Sequence, residues 1–213
     1  MATRRTRRTA PPPASPWRSR QGAGARTLKR EAVIRMAARA FNQRGYHNTS
    51  LDDVARMLGV TKPTLYYYVH NKEDLLFECF RTGLKPIRAA LREIRAQRAP
   101  ARERLRQVLL QYAEAIASDY GGCMVRAEDL HLGTKLHAEV KRLKSEIDHG
   151  IRRLLRAGMA DGSIARSDPK MTAFAIAGAL NWIAHWYREN QALNAAEVAR
   201  SFVALFERGL EPR

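Results

Sequence analysis

Along this chain of 213 residues, apolar side chains recur at intervals of three and four almost throughout, and no stretch alternates convincingly with a period of two. The pattern predicts helices separated by short Gly, Asn and Pro signals. A first helix is expected from about Thr27 to Arg44, with Ala32, Ile34, Ala37, Ala38 and Phe41 on one stripe and Gly45 as its stop. Two very short helices follow. Ser50, with Asp53 three residues on, caps the first, which buries Leu51, Val54, Ala55 and Leu58 and ends at Gly59. Thr61 caps the second, Pro63 sits in its first turn where a missing N–H costs nothing, and Leu65, Tyr68 and Val69 point inward. Asn71 and Asp74 open a long fourth helix to about Gln97, in which Gly83 and Pro86 predict a kink.

Beyond Pro100 five more helices are expected, at about 101–119, 123–131, 134–159, 169–189 and 195–209. The breaks are read at Gly121-Gly122, at Gly133, at Gly158 and Gly162 before Asp168-Pro169, and at Asn190 to Asn194. The fold expected is therefore all-α, with nine helices.

Composition alters this picture at one end. Residues 1–25 hold six Arg, no acid, four Pro and almost no large apolar side chain, so they are expected to be a disordered basic tail. The whole chain carries a formal net charge of +17, distributed as +6 over 1–25, +3 over 26–80 and +8 over 81–213. Such an excess points to a polyanionic partner. The two cysteines, Cys79 and Cys123, fall in helical stretches, which argues against a disulfide framework and for a reducing cytoplasm. Neither a secretory leader nor an apolar run long enough to cross a bilayer is read, so no membrane partner is expected. Patterns for metal ligation, a P-loop, a dinucleotide fold or a nucleophile elbow are absent, so no catalytic residue, metal or cofactor is assigned and the chain is not read as an enzyme.

A long helix followed by two short ones, joined through Leu58-Gly59-Val60, has the spacing of a helix-turn-helix, whose later short helix enters the major groove of DNA. On that helix Lys62 can reach a phosphate or a guanine edge, and Thr64 a base or a thymine methyl. Tyr66 and Tyr67 offer hydroxyls to phosphate and rings to sugar, with Thr61, Pro63 and His70 beside them. Thr49 and Ser50, at a helix start, form a second expected phosphate site, and Lys72 a clamp on the other side.

The run from Phe41-Asn-Gln-Arg-Gly45-Tyr46 through Thr49-Ser50-Leu51-Asp-Asp-Val54-Ala55 and Leu58-Gly59-Val60-Thr61-Lys62-Pro63-Thr64-Leu65-Tyr66-Tyr67-Tyr68 to Asp74-Leu75 closely resembles the DNA-binding domain of the tetracycline-repressor (TetR) family. Pro63 and Val69 depart from that pattern, standing where the family often has a small residue and Phe. The resemblance implies a homodimeric, ligand-responsive repressor that binds double-stranded DNA at an inverted-repeat operator and is released by a small-molecule effector. The domains are then a tail over 1–25, a helix-turn-helix domain over 26–72, and a ligand-binding and dimerisation domain over 73–213.

Within the third region the eighth helix is rich in Ala and Gly, and the ninth has its own apolar stripe. Phe174, Gly178, Phe202, Leu205 and Phe206 are the expected dimer interface, which by resemblance is a four-helix pairing with the partner. Candidate ligand-binding residues are Phe80, Leu84, Ile87, Arg88, Tyr112, Ile116, Tyr120, Met124, Glu128, Ile147, Asn181, Trp182, His185 and Trp186. The stretches Ala179 to Arg188, Val198 to Phe202 and Phe206 to Leu210 resemble the subgroup of the family that senses acyl-coenzyme A thioesters. The alternatives are a sensor of cationic or other hydrophobic drugs, for which Glu114, Asp119, Glu128 and Asp129 would supply the acids, and a non-specific basic DNA-coating protein. Arg81, Lys85, Arg88, Arg92 and Arg95 form a basic stripe on the fourth helix that a solvated face, DNA phosphates or an anionic ligand would each explain.

Overall fold

The computed structural model describes residues 23–127, 129–189 and 191–212. The expected tail lies outside them except for its last three residues, and these correct the boundary. Ala23, Gly24 and Ala25 are already helical, because an alanine-rich stretch with no stop signal simply extends the first helix backwards.

Nine α-helices and no strand are found among the described residues. They are α1 (Ala23–Arg44), α2 (Leu51–Leu58), α3 (Lys62–Tyr66), α4 (Lys72–Glu93), α5 (Ala101–Ala117), α6 (Asp119–Arg126), α7 (Thr134–Ala160), α8 (Pro169–Trp186) and α9 (Ala195–Gly209), with 3-10 turns at Ile94–Ala96 and Asp129–His131. No helix is long and apolar enough to cross a membrane, among the described residues. Cys79 and Cys123 are free and buried.

Most boundaries follow from caps. At α2 the Asp53 N–H donates to Ser50 Oγ at 3.1 Å and the Ser50 N–H donates to Asp53 Oδ2 at 2.9 Å, a complete capping box. Gly59 closes the helix at φ 67°, a left-handed conformation that costs glycine nothing. Asn71 Oδ1 accepts from the Asp74 N–H at 2.7 Å to start α4, and Asn194 with Glu197 repeats the box at α9. Thr61 departs from expectation. Its hydroxyl does not cap α3 but meets the Thr64 hydroxyl at 2.9 Å.

Helix α4 runs unbroken through Gly83 and Pro86 and ends at Glu93, four residues short of the expected end, giving way to a 3-10 turn from Ile94. It is the central element, packing against α1, α5, α6 and α7. Phe80, Leu76 and Ile87 from α4 join Leu105, Leu109, Ile151, Leu155, Ile176 and Leu180 in one fully buried core.

The largest correction concerns Gly121 and Gly122, read as a break but lying inside α6. A Cβ on Gly121 would stand 2.3 Å from the Ile116 backbone, and one on Gly122 would meet Asn42 at 3.0 Å. The pair therefore marks a close approach of α6 to the end of α5 and to α1. Asn42 Nδ2 donates to the Asp119 carbonyl at 2.7 Å, and Arg39 Nε donates to Asp119 Oδ2 at the same distance. Gly158 likewise sits inside α7, under Ile164. Because backbone cannot yield as a side chain can, Gly121→Ala is expected to destabilise the protein by about 2 kcal/mol, lowering Tm by roughly 4–8 °C in a thermal melt.

Candidate nucleic-acid interface

Helices α1, α2 and α3 build a small head. Val54 and Ala55 of α2, Leu65 of α3 and Val69 just after it are buried in the common core, which turns the other face of α3 outward. Tyr66 and Tyr67 are 46% and 64% exposed, large values for tyrosines in a folded unit. Lys62, Pro63, Thr61 and His70 are exposed beside them, and Thr64 is half-buried. An open concavity of about 440 Å³ lies alongside, lined by His47, Asn48, Thr49, Ser50, Asp52, Lys62, Tyr66 and Lys72 among others. Five of the ten expected DNA-contacting residues, Thr49, Ser50, Lys62, Tyr66 and Lys72, line it, and the other five, Thr61, Pro63, Thr64, Tyr67 and His70, lie on α3 or within four residues of it.

Thr49 corrects the expectation. It is only 2% exposed, and its hydroxyl donates to the Gly45 carbonyl at 2.8 Å and to the Ala40 carbonyl at 3.3 Å, so it ties the loop to the end of α1 and has no donor left for a phosphate. Ser50 Oγ donates to Asp53 Oδ2 at 2.6 Å, and Asp52 and Asp53 stand in the first turn of α2, so that helix start does not offer a phosphate an uncontested seat. Lys72 Nζ donates to the His47 carbonyl at 3.3 Å and lies 4.2 Å from the Tyr46 ring centre, where burial lowers its pKa. It braces the head as well as facing the concavity. Lys62 Nζ pairs with Asp52 Oδ2 at 2.8 Å, a bond that holds the ammonium above its usual pKa range.

Four residues of this surface escape sequence reading. His47, Asn48 and Asp52 line the concavity, and Arg26, at the start of α1, lies 4.9 Å from the Tyr67 ring centre. Only the turn after Gly45, which folds the 47–49 segment beside α3, could have hinted at the first two.

The expected ligand residues divide into three groups. Phe80, Leu84, Ile87, Ile116, Met124 and Ile147 are buried in the common core, where Met124 presses on Gly83. Tyr112 joins them, its hydroxyl donating to Asn181 Oδ1 at 3.2 Å, and burial pushes its phenol up to about 12. Arg88 and Tyr120 instead face a cleft between α1 and α4, with Arg88 bonded to Glu146 at 2.8 Å. Trp182, His185 and Trp186 are exposed on the outside of α8, which corrects their assignment to an interior pocket: α8 buries Ala173, Ile176, Leu180, Ile183 and Ala184, so the opposite stripe must face out. Trp182, 61% exposed, stacks on His185 at 4.5 Å, and Trp186 on Phe202 at 6.4 Å. Glu128 lies outside the described residues. On the same outer surface are Phe174, Gly178 and Leu205, while Phe202 and Phe206 are half-buried against the core.

With this geometry in hand, two family descriptions match the chain: "Bacterial regulatory proteins, tetR family" over residues 33–79, and "Tetracyclin repressor-like, C-terminal domain" over residues 98–210. The chain belongs to the TetR family. It is a DNA-binding transcriptional regulator of the helix-turn-helix type, and α2 and α3 are the two short helices of that motif. Among curated relatives, the HTH-type transcriptional repressor KstR2 of Rhodococcus jostii is 26% identical over 203 residues, 94% of this chain and 97% of the relative. The TetR-family regulator PfmR of Thermus thermophilus superposes with a TM-score of 0.75 at 28% identity, covering 84% of this chain and 99% of PfmR. AibR, solved in complex with isovaleryl coenzyme A and operator DNA, is similar at 25% identity and a TM-score of 0.71, over 83% of this chain and 97% of AibR.

The Thr49 hydroxyl has a structural task, so Thr49→Val is expected to cost about 1–2 kcal/mol by removing the donor to the Gly45 carbonyl just past the α1 terminus. Chemical denaturation should reveal this loss, while DNA affinity of the folded variant stays at the wild-type level.

Proposed function

We propose that this chain is a homodimeric repressor that binds an inverted-repeat operator through α3 and is released from it by a small molecule, an acyl-coenzyme A thioester. The observation that carries the DNA half of the reading is the exposed α3 face, on which Lys62 and Tyr66 line an open concavity and Tyr67 stands exposed next in the chain. Tyrosine hydroxyls and an ammonium so placed suit phosphate oxygens and base edges, with Thr64 and His70 in reach of the same groove. In this reading residues 26–72 are the reading head and 73–213 the effector and dimerisation unit.

Dimerisation is supported by the outer face of α8 and α9. Met171, Phe174 and Trp182 of α8 are at least half exposed, as is Leu205 of α9, an apolar surface that water does not favour. Gly178 leaves room there for close approach of another helix. A two-fold pairing through this face presents two α3 helices, hence a two-fold operator with half-sites about one helical turn apart or a multiple of it.

The effector class is supported by the likeness to AibR, whose complex contains isovaleryl coenzyme A. Release follows from how the head is held. Helix α6 bears directly on α1 through Asp119, and the Gly133 N–H donates to Glu73 Oε1 at 2.7 Å, while Tyr46 stacks on His131 at 4.9 Å. A ligand that parts α6 from α4 moves α1 with it, changes the separation of the two α3 helices, and favours the state that cannot span both half-sites.

The experiment is a binding titration on a labelled operator fragment. Tyr66→Ala or Lys62→Ala should weaken binding by about 1–3 kcal/mol without changing the melting curve, and undiminished affinity would remove α3 from the interface. Leu205→Glu, on the exposed side of α9, should yield monomers by sedimentation and lose the preference for an inverted repeat over a single half-site. Isovaleryl-coenzyme A and longer acyl thioesters should release the wild-type protein; if none does, the effector assignment fails and the operator assignment survives.

A further inference from the structure

The cleft between α1 and α4 is not accounted for by DNA recognition or dimerisation. It has a volume of about 920 Å³. Arg26, Arg30 and Arg35 line it from α1, and Arg81, Lys85, Arg88 and Arg92 from α4; the carboxylates in its lining are those of Glu31 and Glu78. Charges of one sign at a spacing of three and four along a helix repel one another, so the α4 row is an electrostatic cost to the fold unless something occupies it.

The internal compensation is thin. Glu78, whose side chain is 7% exposed, serves two cations at once, Arg30 Nη2 at 3.1 Å and Arg81 Nη2 at 2.7 Å. Arg88 is held by Glu146, which also serves Arg142. Lys85 and Arg92 have no carboxylate within ion-pair distance among the described residues. The chain's own first 25 residues are basic and cannot neutralise the row. A concave wall of low dielectric concentrates the field of these groups at the cleft, where an anion would be drawn.

Size and position select the anion. The cleft follows α4 from Glu78 to Arg92, about 21 Å at 1.5 Å per residue, far longer than one phosphate. Arg92 is some 30 Å along α4 from Lys72, the end that abuts the head, so a duplex lying on α3 does not reach the upper half of the row. Arg88 and Arg92 are shared with an adjoining groove towards α7 that adds Arg95, His149 and Arg153, so the basic track continues away from the head. One aromatic residue, Tyr120, is in the lining.

We infer that the α1–α4 cleft is a binding site for a phosphorylated small molecule of nucleotide size, with its phosphates on Arg81, Lys85 and Arg92. This goes beyond the identity of the inducer, because the shared chemistry is a nucleoside with several phosphates, supplied either by a free nucleotide or by the 3′-phospho-ADP end of coenzyme A. Occupation has a built-in consequence. Phosphates compete with Glu78 for Arg30, through which that carboxylate fastens the head helix α1 to α4, and for Arg81, its neighbour one turn along α4.

Calorimetry on the full-length protein tests the site with three probes: coenzyme A without an acyl group, ATP, and inorganic triphosphate. At least one nucleotide should bind with one site per protomer, and its affinity should fall tenfold or more in Lys85→Ala/Arg92→Ala, a pair of exposed positions whose replacement should leave the melting temperature unchanged. Tighter binding of coenzyme A assigns the 3′-phospho-ADP source, and tighter binding of ATP the free nucleotide. The inference is overturned if neither nucleotide gives heat, if the double variant binds as well as the wild type, or if triphosphate alone binds as tightly as either nucleotide. It is also overturned if the double substitution weakens binding to random duplex DNA instead, which would give the row to the DNA backbone. Release of operator by acyl thioesters in a protein that ignores free coenzyme A and ATP would sink this site and leave the proposed effector standing; the reverse result would do the opposite.

Discussion

Helix α6 can fold back tightly on the end of α5 and lie on the Asn42 side chain of α1 because residues 121 and 122 carry no Cβ atoms, and the relation between head and body follows from that closeness. With α6 so placed, Asp119 is held by the side chains of both Arg39 and Asn42, and a displacement of α6 is passed to the head helix through these two hydrogen bonds. The second fastening, Glu73 to Gly133 beside the stacked Tyr46 and His131, lies at the other side of the same junction. Between them these contacts make α1 part of two bodies. It is the floor on which α2 rests, with α3 packed on α2, and a wall against which α4 and α6 pack.

Much of this was legible in the residues because it is local. Ser50 with Asp53, Asn71 with Asp74, and Asn194 with Glu197 are capping pairs whose geometry is decided within four residues, and the boundaries they mark for α2, α4 and α9 are those found. The inward stripe of Val54, Ala55, Leu65 and Val69, together with Gly59 at positive φ, left α3 one outward face. What stayed hidden depends on tertiary neighbours. A glycine pair that ends a helix and one that admits a neighbouring helix look alike until the neighbour is known, which is why 121–122 was misplaced. Thr49 looked like a free hydroxyl because the carbonyls it serves, at 40 and 45, belong to the end of the preceding helix. The tryptophans of α8 were assigned to an interior because large apolar side chains usually have one, whereas here α8 spends its buried stripe on Ile176, Leu180 and Ile183. The α4 basic row was evident from its spacing, but its opposing wall on α1 was not, since no periodicity links residues 26–35 to 81–92.

The charge excess, read as one number, concealed these distinctions. The head carries little of it, and what it carries is spent on internal ties: Lys62 to Asp52, Lys72 to the His47 carbonyl, Arg44 and Arg56 to Asp53. The body carries more, with Arg88, Arg142, Lys144 and Arg152 matched by carboxylates of α7 and its approach. Net charge therefore predicts long-range attraction to an anion, while the residues that discriminate among anions are those left after the internal pairs are formed.

The Lys62–Asp52 pair gives the reading head a form of restraint. A free ammonium on the recognition helix grips any phosphate it meets, and a regulator so equipped would linger on the vast excess of irrelevant duplex. Here the ammonium begins with a partner at 2.8 Å, and it gains by changing partners only where the duplex returns a bond of equal quality at the right place. Under the DNA-binding role proposed for α3, giving up this exposed pair would add a small, uniform cost to every encounter, offset only where the duplex offers the ammonium a partner in return.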